Sequence, residues 1–198
     1  MTSGTLSDEP NEDVHVLALP SGTRLHEYEL QAVLGHGGFG ITYRAFDTLL
    51  HETVAIKEYF PNDLAARVSG TTVQPKSTAD KKTFQDGLAA FLNEARLIAR
   101  FEHRNINQVR RFFELNGTGY IVLRFERGRS LEGALHAKSW DEAAVTGLLL
   151  QLLDALEAIH AQGALHRDIK PSNIIVRNDG TAVLIDFGAA RDFRARSS

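Results

Sequence analysis

Gly35-His36-Gly37-Gly38-Phe39-Gly40 puts four glycines in six residues. A backbone of that composition can lie close over a chain of phosphates with no side chains in the way. Lys57 closes the apolar run Thr53-Val54-Ala55-Ile56, so its ammonium is expected to project from a rigid strand toward whatever lies under the glycines. By itself that lysine is an ordinary strand-end residue with its stem on apolar surface, and the glycines are an ordinary hairpin. Downstream, Phe91, Ala95 and Ile98 recur at helical spacing, and Glu94 lies beside that face as a carboxylate on a helix. Further along, His166-Arg167-Asp168-Ile169-Lys170-Pro171-Ser172-Asn173 gathers a carboxylate, an ammonium and a side-chain amide in eight residues, and Asp186 follows thirteen residues later. Phosphoryl transfer asks a protein for such groups: a carboxylate to orient and deprotonate the attacking hydroxyl, cations to hold the phosphates, and oxygen ligands for a hard divalent ion.

The elements around these residues are readable from periodicity. Tyr28, Leu30, Ala32 and Leu34 alternate before the glycines, and Ile41, Tyr43 and Ala45 resume after them, which predicts strand, glycine turn, strand. In a dinucleotide-binding fold a helix would follow the glycines instead. Residues 58–83, with Pro61, Gly70, Pro75 and several Ser and Thr, are too polar and broken for one element and read as a surface insertion. Val109 to Leu115 and Tyr120 to Phe125, separated by Asn116-Gly117-Thr118-Gly119, predict a hairpin. Asp141 to Ala161 reads as a long helix, apolar around much of its circumference and therefore expected to be buried on more than one side. Val183-Leu184-Ile185 is a short strand leading into Asp186.

Composition excludes several classes. The chain has 198 residues, 43% hydrophobic and 24% charged, with a formal net charge of -3, an ordinary globular profile with no electrostatic footprint for nucleic acid or an anionic membrane. It contains no cysteine, which removes disulfides, thiolate metal sites and thiol catalysis. The first thirteen residues carry Asp8, Glu9, Glu12 and Asp13 without Lys or Arg, unlike the start of a secretory signal. The Leu-rich run near Leu148 is interrupted by Gln151, Asp154 and Glu157. These features predict a cytoplasmic protein, and residues 1–26 read as an acidic, flexible lead-in.

Five motifs in this order resemble the signature set of the protein kinase superfamily. The phrases Lys57-Glu58-Tyr59-Phe60-Pro61 and Gly87 through Phe101 are similar to bacterial, eukaryotic-like serine/threonine protein kinases. The resemblance covers residues 27–196. It implies an α+β, protein kinase-like fold: an N-terminal antiparallel β lobe with one main helix over about 27–124, a connection over about 124–128, and an incomplete, mainly helical C-terminal lobe over about 129–198. It also implies ATP and Mg²⁺ as cofactors and a protein carrying Ser or Thr as substrate. Leu34, Gly35, His36, Gly37, Gly38, Phe39, Gly40 and Thr42 would then cover the nucleotide, with Ala55 and Ile175 against adenine and Arg124 to Glu126 offering backbone groups to it. Thr42 stands where the family usually has Val, and Leu123 falls where the adenine pocket is guarded. Lys57 would meet the phosphates, held by Glu94. Asp168 would be the catalytic base, Lys170 a charge near the transferring phosphate, and Asn173 and Asp186 the Mg²⁺ ligands. Lys170 points to serine/threonine rather than tyrosine specificity. Ile98, Val109, His166 and Phe187 match one hydrophobic column of the family.

Only ten residues follow Asp186-Phe187-Gly188, without an Ala-Pro-Glu. The expectation is a chain truncated inside the activation segment, where Arg167 would meet a phosphorylated residue and Ser197 and Ser198 are the hydroxyls at hand. The 141–161 helix would then lack part of its cover, which suggests a partner over the incomplete lobe. Besides an active kinase, two readings stay open: a nucleotide-binding pseudokinase or truncated regulator with little phosphotransfer, and a small-molecule kinase of related fold, which Lys170 and the complete Asp-Phe-Gly argue against.

Overall fold

The structure, a computed structural model, describes residues 17–137, 139–186 and the backbone of 191–192. Phe187, Ser197 and Ser198 lie outside the described residues. The first layer is an antiparallel sheet of six strands. β1 (Arg24–Leu25), β2 (Tyr28–Gly37), β3 (Gly40–Asp47) and β4 (Glu52–Tyr59) follow in chain order. Two short strands, β5 (Ala65–Ser69) and β6 (Thr72–Pro75), make a separate hairpin before α1 (Asp80–Ile98), and β7 (Val109–Leu115) and β8 (Thr118–Arg124) complete the sheet in the order β1-β2-β3-β4-β8-β7. The β7–β8 turn is closed by Asn116 and Gly117 alone, both with positive φ, 54° and 77°. These are the residue types and conformations that a two-residue hairpin turn requires.

Below it, β9 (Gly128–Ser130), α2 (Leu131–Ala137), α3 (Glu142–Ala161), β10 (Ala164–Leu165), β11 (Ile174–Arg177), β12 (Ala182–Leu184) and β13 (Arg191–Asp192) build a second, smaller unit. β12, β11 and β9 form one sheet, and β10 pairs with β13. Asp141 caps α3 by accepting the Ala144 amide at 2.8 Å, which satisfies one of the donors that a helix start leaves open. Each unit has its own apolar cluster, and α1 joins them. Phe84, Phe91, Leu92 and Ala95 lie in the cluster under the large sheet, while Leu97 and Ile98 lie with Leu152, Ile159 and Leu184 in the other. Val109 packs against both.

Four expectations need correction. Residues 17–26 are packed and ordered into the fold. Leu19 and Leu25 are buried, β1 pairs with β2, and the Leu19 amide donates to Tyr43 Oη at 3.0 Å; two leucines with a core to fill outweigh the polar residues around them. The 58–83 insertion holds the β5–β6 hairpin, and its Phe60, Ala65 and Val73 are core residues. The alternation of β2 fails after Leu30 because register shifts at Leu30/Ala32 and Val33/Gly35 turn the strand, leaving Leu34 48% exposed. α3 is buried along one face, at Leu148, Leu152, Ala155 and Ile159, with Val145, Leu149, Leu150 and Leu153 exposed among the described residues. By length and apolarity this helix would suffice to cross a membrane; its buried face belongs to the second cluster, and its Gln151 accepts the Ala182 amide at 3.0 Å.

Candidate active site

The cleft between the two units is roofed by the hairpin of β2 and β3, whose register runs to Gly37 opposite Gly40. The glycines stand in two settings. A Cβ on Gly40 would overlap the carbonyl oxygen of Glu58, so the close approach of β3 and β4 requires glycine there. A Cβ on Gly35, Gly37 or Gly38 would meet nothing within 4 Å. The fold makes no steric demand for glycine at those three, and the space beside their backbone is open. Phe39 at the tip is 82% exposed.

Strand register then delivers the next groups. Thr42 sits opposite Lys57, and Ala55 opposite Leu123 of β8. Because side chains alternate along a strand, Ala55 and Lys57 share the face of Thr42, while Ile56 and Glu58 turn into the core. Lys57 Nζ lies 3.5 Å from Glu94 Oε1 on α1 and 2.5 Å from Asp186 Oδ1, so one ammonium joins two carboxylates 37 and 129 residues away in sequence. Burial pulls the Lys57 ammonium down, but the Glu94 and Asp186 carboxylates outweigh it and hold the group above its ordinary value. Burial pushes the Glu94 carboxyl up, and Lys57 opposes that. The expected Lys57 and Glu94 pair is therefore present, with Asp186 as a third member.

The second constellation is local. Asp168 Oδ2 accepts from Lys170 Nζ at 3.0 Å and from Asn173 Nδ2 at 2.8 Å, and Asn173 Nδ2 also meets the Asp168 carbonyl at 3.0 Å. Its amide nitrogen is thus committed to Asp168, which leaves the side-chain oxygen as the group that a cation would take. Pro171 opens a 3-10 turn that ends at Asn173, its fixed φ and missing donor suiting a first turn. The Ile185 amide bonds the Asn173 carbonyl at 2.9 Å, tying this loop to the strand that precedes Asp186. Arg167 and Asp186 both have positive φ, 68° and 59°, a conformation that costs a non-glycine residue on the order of 1–3 kcal/mol and is concentrated at functional sites. His166, just before Arg167, is 1% exposed, and its Nδ1 accepts the Asp168 amide at 3.3 Å. Burial lowers the His166 imidazole below its ordinary value, against the pull of Asp186 and Asp168.

At the connection between the units, Glu126 does more than sequence suggests. Its carboxylate receives the Arg177 guanidinium at 2.6 Å and its side chain is nearly buried, so it fastens the connection to β11, where Ile175 lies. Hydrogen bonding to Glu126 raises Arg177 above its ordinary value. A lone Arg in the Val176-Arg177-Asn178 stretch gives no sign of this pairing. The structure thus brings Lys57, Glu94 and Asp186 together, and Asp168, Lys170 and Asn173 together. Among the described residues no cluster of three His, Asp or Glu exists that could hold a metal unaided. The Asn173 amide oxygen and the Asp186 carboxylate, one of whose oxygens meets Lys57, are hard oxygen donors of the kind Mg²⁺ takes beside water and phosphate oxygens.

Comparison with known proteins bears on this arrangement. A family model described as protein kinase domain matches residues 28–198. The chain is 32% identical over 171 residues to serine/threonine-protein kinase PknD of Mycobacterium tuberculosis (strain CDC 1551 / Oshkosh), covering 86% of this chain and 23% of that protein. It is 30% identical over 170 residues to serine/threonine-protein kinase PknE of Mycobacterium tuberculosis (strain ATCC 25177 / H37Ra), covering 85% and 27%. It therefore spans about a quarter of the length of these relatives. A solved structure of PpkA-294 in its apo form superposes with a TM-score of 0.82 at 44% identity, covering 87% of this chain and 62% of that one.

Proposed function

The chain belongs to the protein kinase domain family, and from that premise we propose that it binds ATP with Mg²⁺ in the cleft and transfers the γ-phosphate to a serine or threonine hydroxyl of a protein. The observation that carries this reading is the convergence of Lys57, Glu94 and Asp186 beneath a loop whose Gly35, Gly37 and Gly38 face open space. The loop backbone covers the phosphates. Lys57, kept cationic by Glu94, binds phosphate oxygens, and Thr42, Ala55 and Ile175 lie against the base, with Leu34 and the backbone from Arg124 to Glu126 at its edge. Asn173 and Asp186 would hold Mg²⁺, which would neutralise phosphate charge. Asp168 orients the acceptor hydroxyl and takes its proton. Lys170, 3.0 Å from that carboxylate, neutralises charge beside it as the phosphate moves, and Asn173 keeps Asp168 aligned.

The test is calorimetric titration of the chain with ATP, with and without Mg²⁺, beside Asp186→Asn. Tight binding that needs Mg²⁺ and loses that need in the variant supports the reading. Mg²⁺ dependence unchanged by the variant reassigns the metal site, and no nucleotide binding at all overturns the proposal.

A further inference from the structure

The insertion after Lys57 touches the glycine loop directly. The β3–β4 ladder ends where Gly40 faces Tyr59, but the chain beyond β4 goes on following the loop. The Phe60 amide donates to the Phe39 carbonyl at 3.0 Å, and the Asn62 amide to the Gly38 carbonyl at 3.2 Å. Gly38 and Phe39 are the tip residues, between Gly37 and Gly40, so these two bonds hold the part of the loop that β2 and β3 leave unpaired.

The holding segment is itself fixed from behind. The Pro61 carbonyl accepts the Leu64 amide at 3.0 Å and the Ala65 amide at 2.9 Å, and Lys76 Nζ donates to the Asn62 carbonyl at 2.6 Å. Phe60, Ala65 and Val73 are buried in the core. Arg67 of β5 lies 4.9 Å over the Phe60 ring and donates to both oxygens of Glu58, at 3.2 and 2.8 Å. Glu58, fully buried, also accepts from Tyr43 and Tyr120, each at 2.8 Å. Arg67 Nε reaches the Leu17 carbonyl at 2.9 Å, so the residues ahead of β1 brace the same block. A flexible glycine loop is thus bonded along its tip to one of the most firmly anchored segments of the upper unit.

We propose that residues 58–76 are a clamp that sets the height of the phosphate loop over the cleft, with the Asn62 backbone amide as its positioning group. The inference rests on the nucleotide reading above for its consequence and on the hydrogen bonds alone for its mechanics. A loop held at fixed height presents its amides to phosphates without first being ordered, so the clamp favours the phosphate chain and is indifferent to the nucleoside.

Asn62 is the second residue of the turn from Pro61 to Leu64, a position that proline suits, so Asn62→Pro removes the donor and sets its ring Cδ against the Gly38 carbonyl, releasing the loop tip from the segment, whereas Asn62→Ala keeps the donor. Affinities for Mg·ATP and adenosine, with amide hydrogen exchange at Phe60, read the effect. Loss of one backbone bond at the loop is expected to weaken Mg·ATP roughly three- to tenfold, leave adenosine unchanged and speed exchange at Phe60. Asn62→Ala should match the unsubstituted chain in all three. Lys76→Met, which unties the segment from its other side, should move Mg·ATP in the same direction by less. An unchanged ratio of ATP to adenosine affinity in Asn62→Pro, or an equal loss in Asn62→Ala, overturns the clamp. If the unsubstituted chain binds no Mg·ATP, the nucleotide reading fails, and exchange at Phe60 still decides: faster in Asn62→Pro alone supports the clamp, unchanged overturns it.

Discussion

Gly87, in the middle of α1, sets how closely that helix approaches β4. A Cβ there would overlap Tyr59 Oη and lie 3.1 Å from Tyr59 Cζ. Tyr59 has little room to yield, since its ring lies between Phe84 and Phe91 at centroid distances of 5.3 and 5.5 Å and its hydroxyl donates to the Phe84 carbonyl at 3.4 Å. Gly87→Ala in a helix interior gains about 1 kcal/mol of helix propensity, and overpacking costs about 1–3 kcal/mol, so the single substitution is expected to destabilise by about 0–2 kcal/mol. In a Tyr59→Phe background the overlapping atom is gone and a shift of a few tenths of an ångström relieves the rest. The same substitution then stabilises by up to about 1 kcal/mol. The double-mutant cycle should thus show coupling of about 1–3 kcal/mol, each kcal/mol moving the melting midpoint by about 2–4 °C in a chain of this size. The site reports the same displacement. Lys57 and Glu94 are 3.5 Å apart, so a helix pushed off β4 separates them, and Mg·ATP affinity should fall in Gly87→Ala and recover in the double variant. Equal effects of Gly87→Ala in both backgrounds would refute the claim that the Tyr59 hydroxyl limits helix approach.

Arg67→Met leaves the Glu58 carboxylate buried with the Tyr43 and Tyr120 hydroxyls as its side-chain donors among the described residues, and breaking a buried pair in this way should cost about 3–5 kcal/mol. Denaturant melts check it, and adding Glu58→Gln should restore part of the loss. For pH, burial holds the His166 imidazole below its ordinary 6.5, so the unfolded chain takes up that proton first. The stabilisation is fully present above pH 6.5 and is lost as pH falls from there toward the folded value. Melting curves between pH 7.5 and 5.5 should show a drop that His166→Gln reduces; an identical drop in the variant would remove His166 from the explanation.

What could be read from sequence was what depends on local pattern. Asn116-Gly117 demanded the β7–β8 turn, and Asp141 before an apolar run marked the start of α3. The strand ending in Lys57 and the helix face beside Glu94 were readable from their periods, whereas the pairing of the two came from the resemblance to the protein kinase family. The Asp168 cluster lies within six residues, so its geometry follows from one turn. Partnerships set by packing were not legible. Arg67 lies in a stretch that reads as a polar insertion, although Gly70-Thr71 between Val68 and Val73 was the turn signal that could have revealed the hairpin. Its pairing with Glu58 depends on that hairpin folding back over the sheet. Arg177 and Glu126 are 51 residues apart, with nothing in either neighbourhood to mark the other. Leu17 to Leu25 read as a tail because alternation there is too short to register, yet the sheet has a place for Leu19 and Leu25. The one-sided burial of α3 was missed because an apolar circumference says how much surface prefers cover, not how much receives it.

The most direct measurement is the intact mass of the chain and of a generic basic acceptor protein after incubation with ATP and Mg²⁺, beside the Asp168→Asn variant. If the cleft performs phosphoryl transfer, the unsubstituted chain adds phosphate to a serine or threonine hydroxyl and Asp168→Asn adds far less, while binding nucleotide as before. Equal phosphate in both would contradict Asp168 as the base, and nucleotide binding without phosphate in either would make this a nucleotide-binding module.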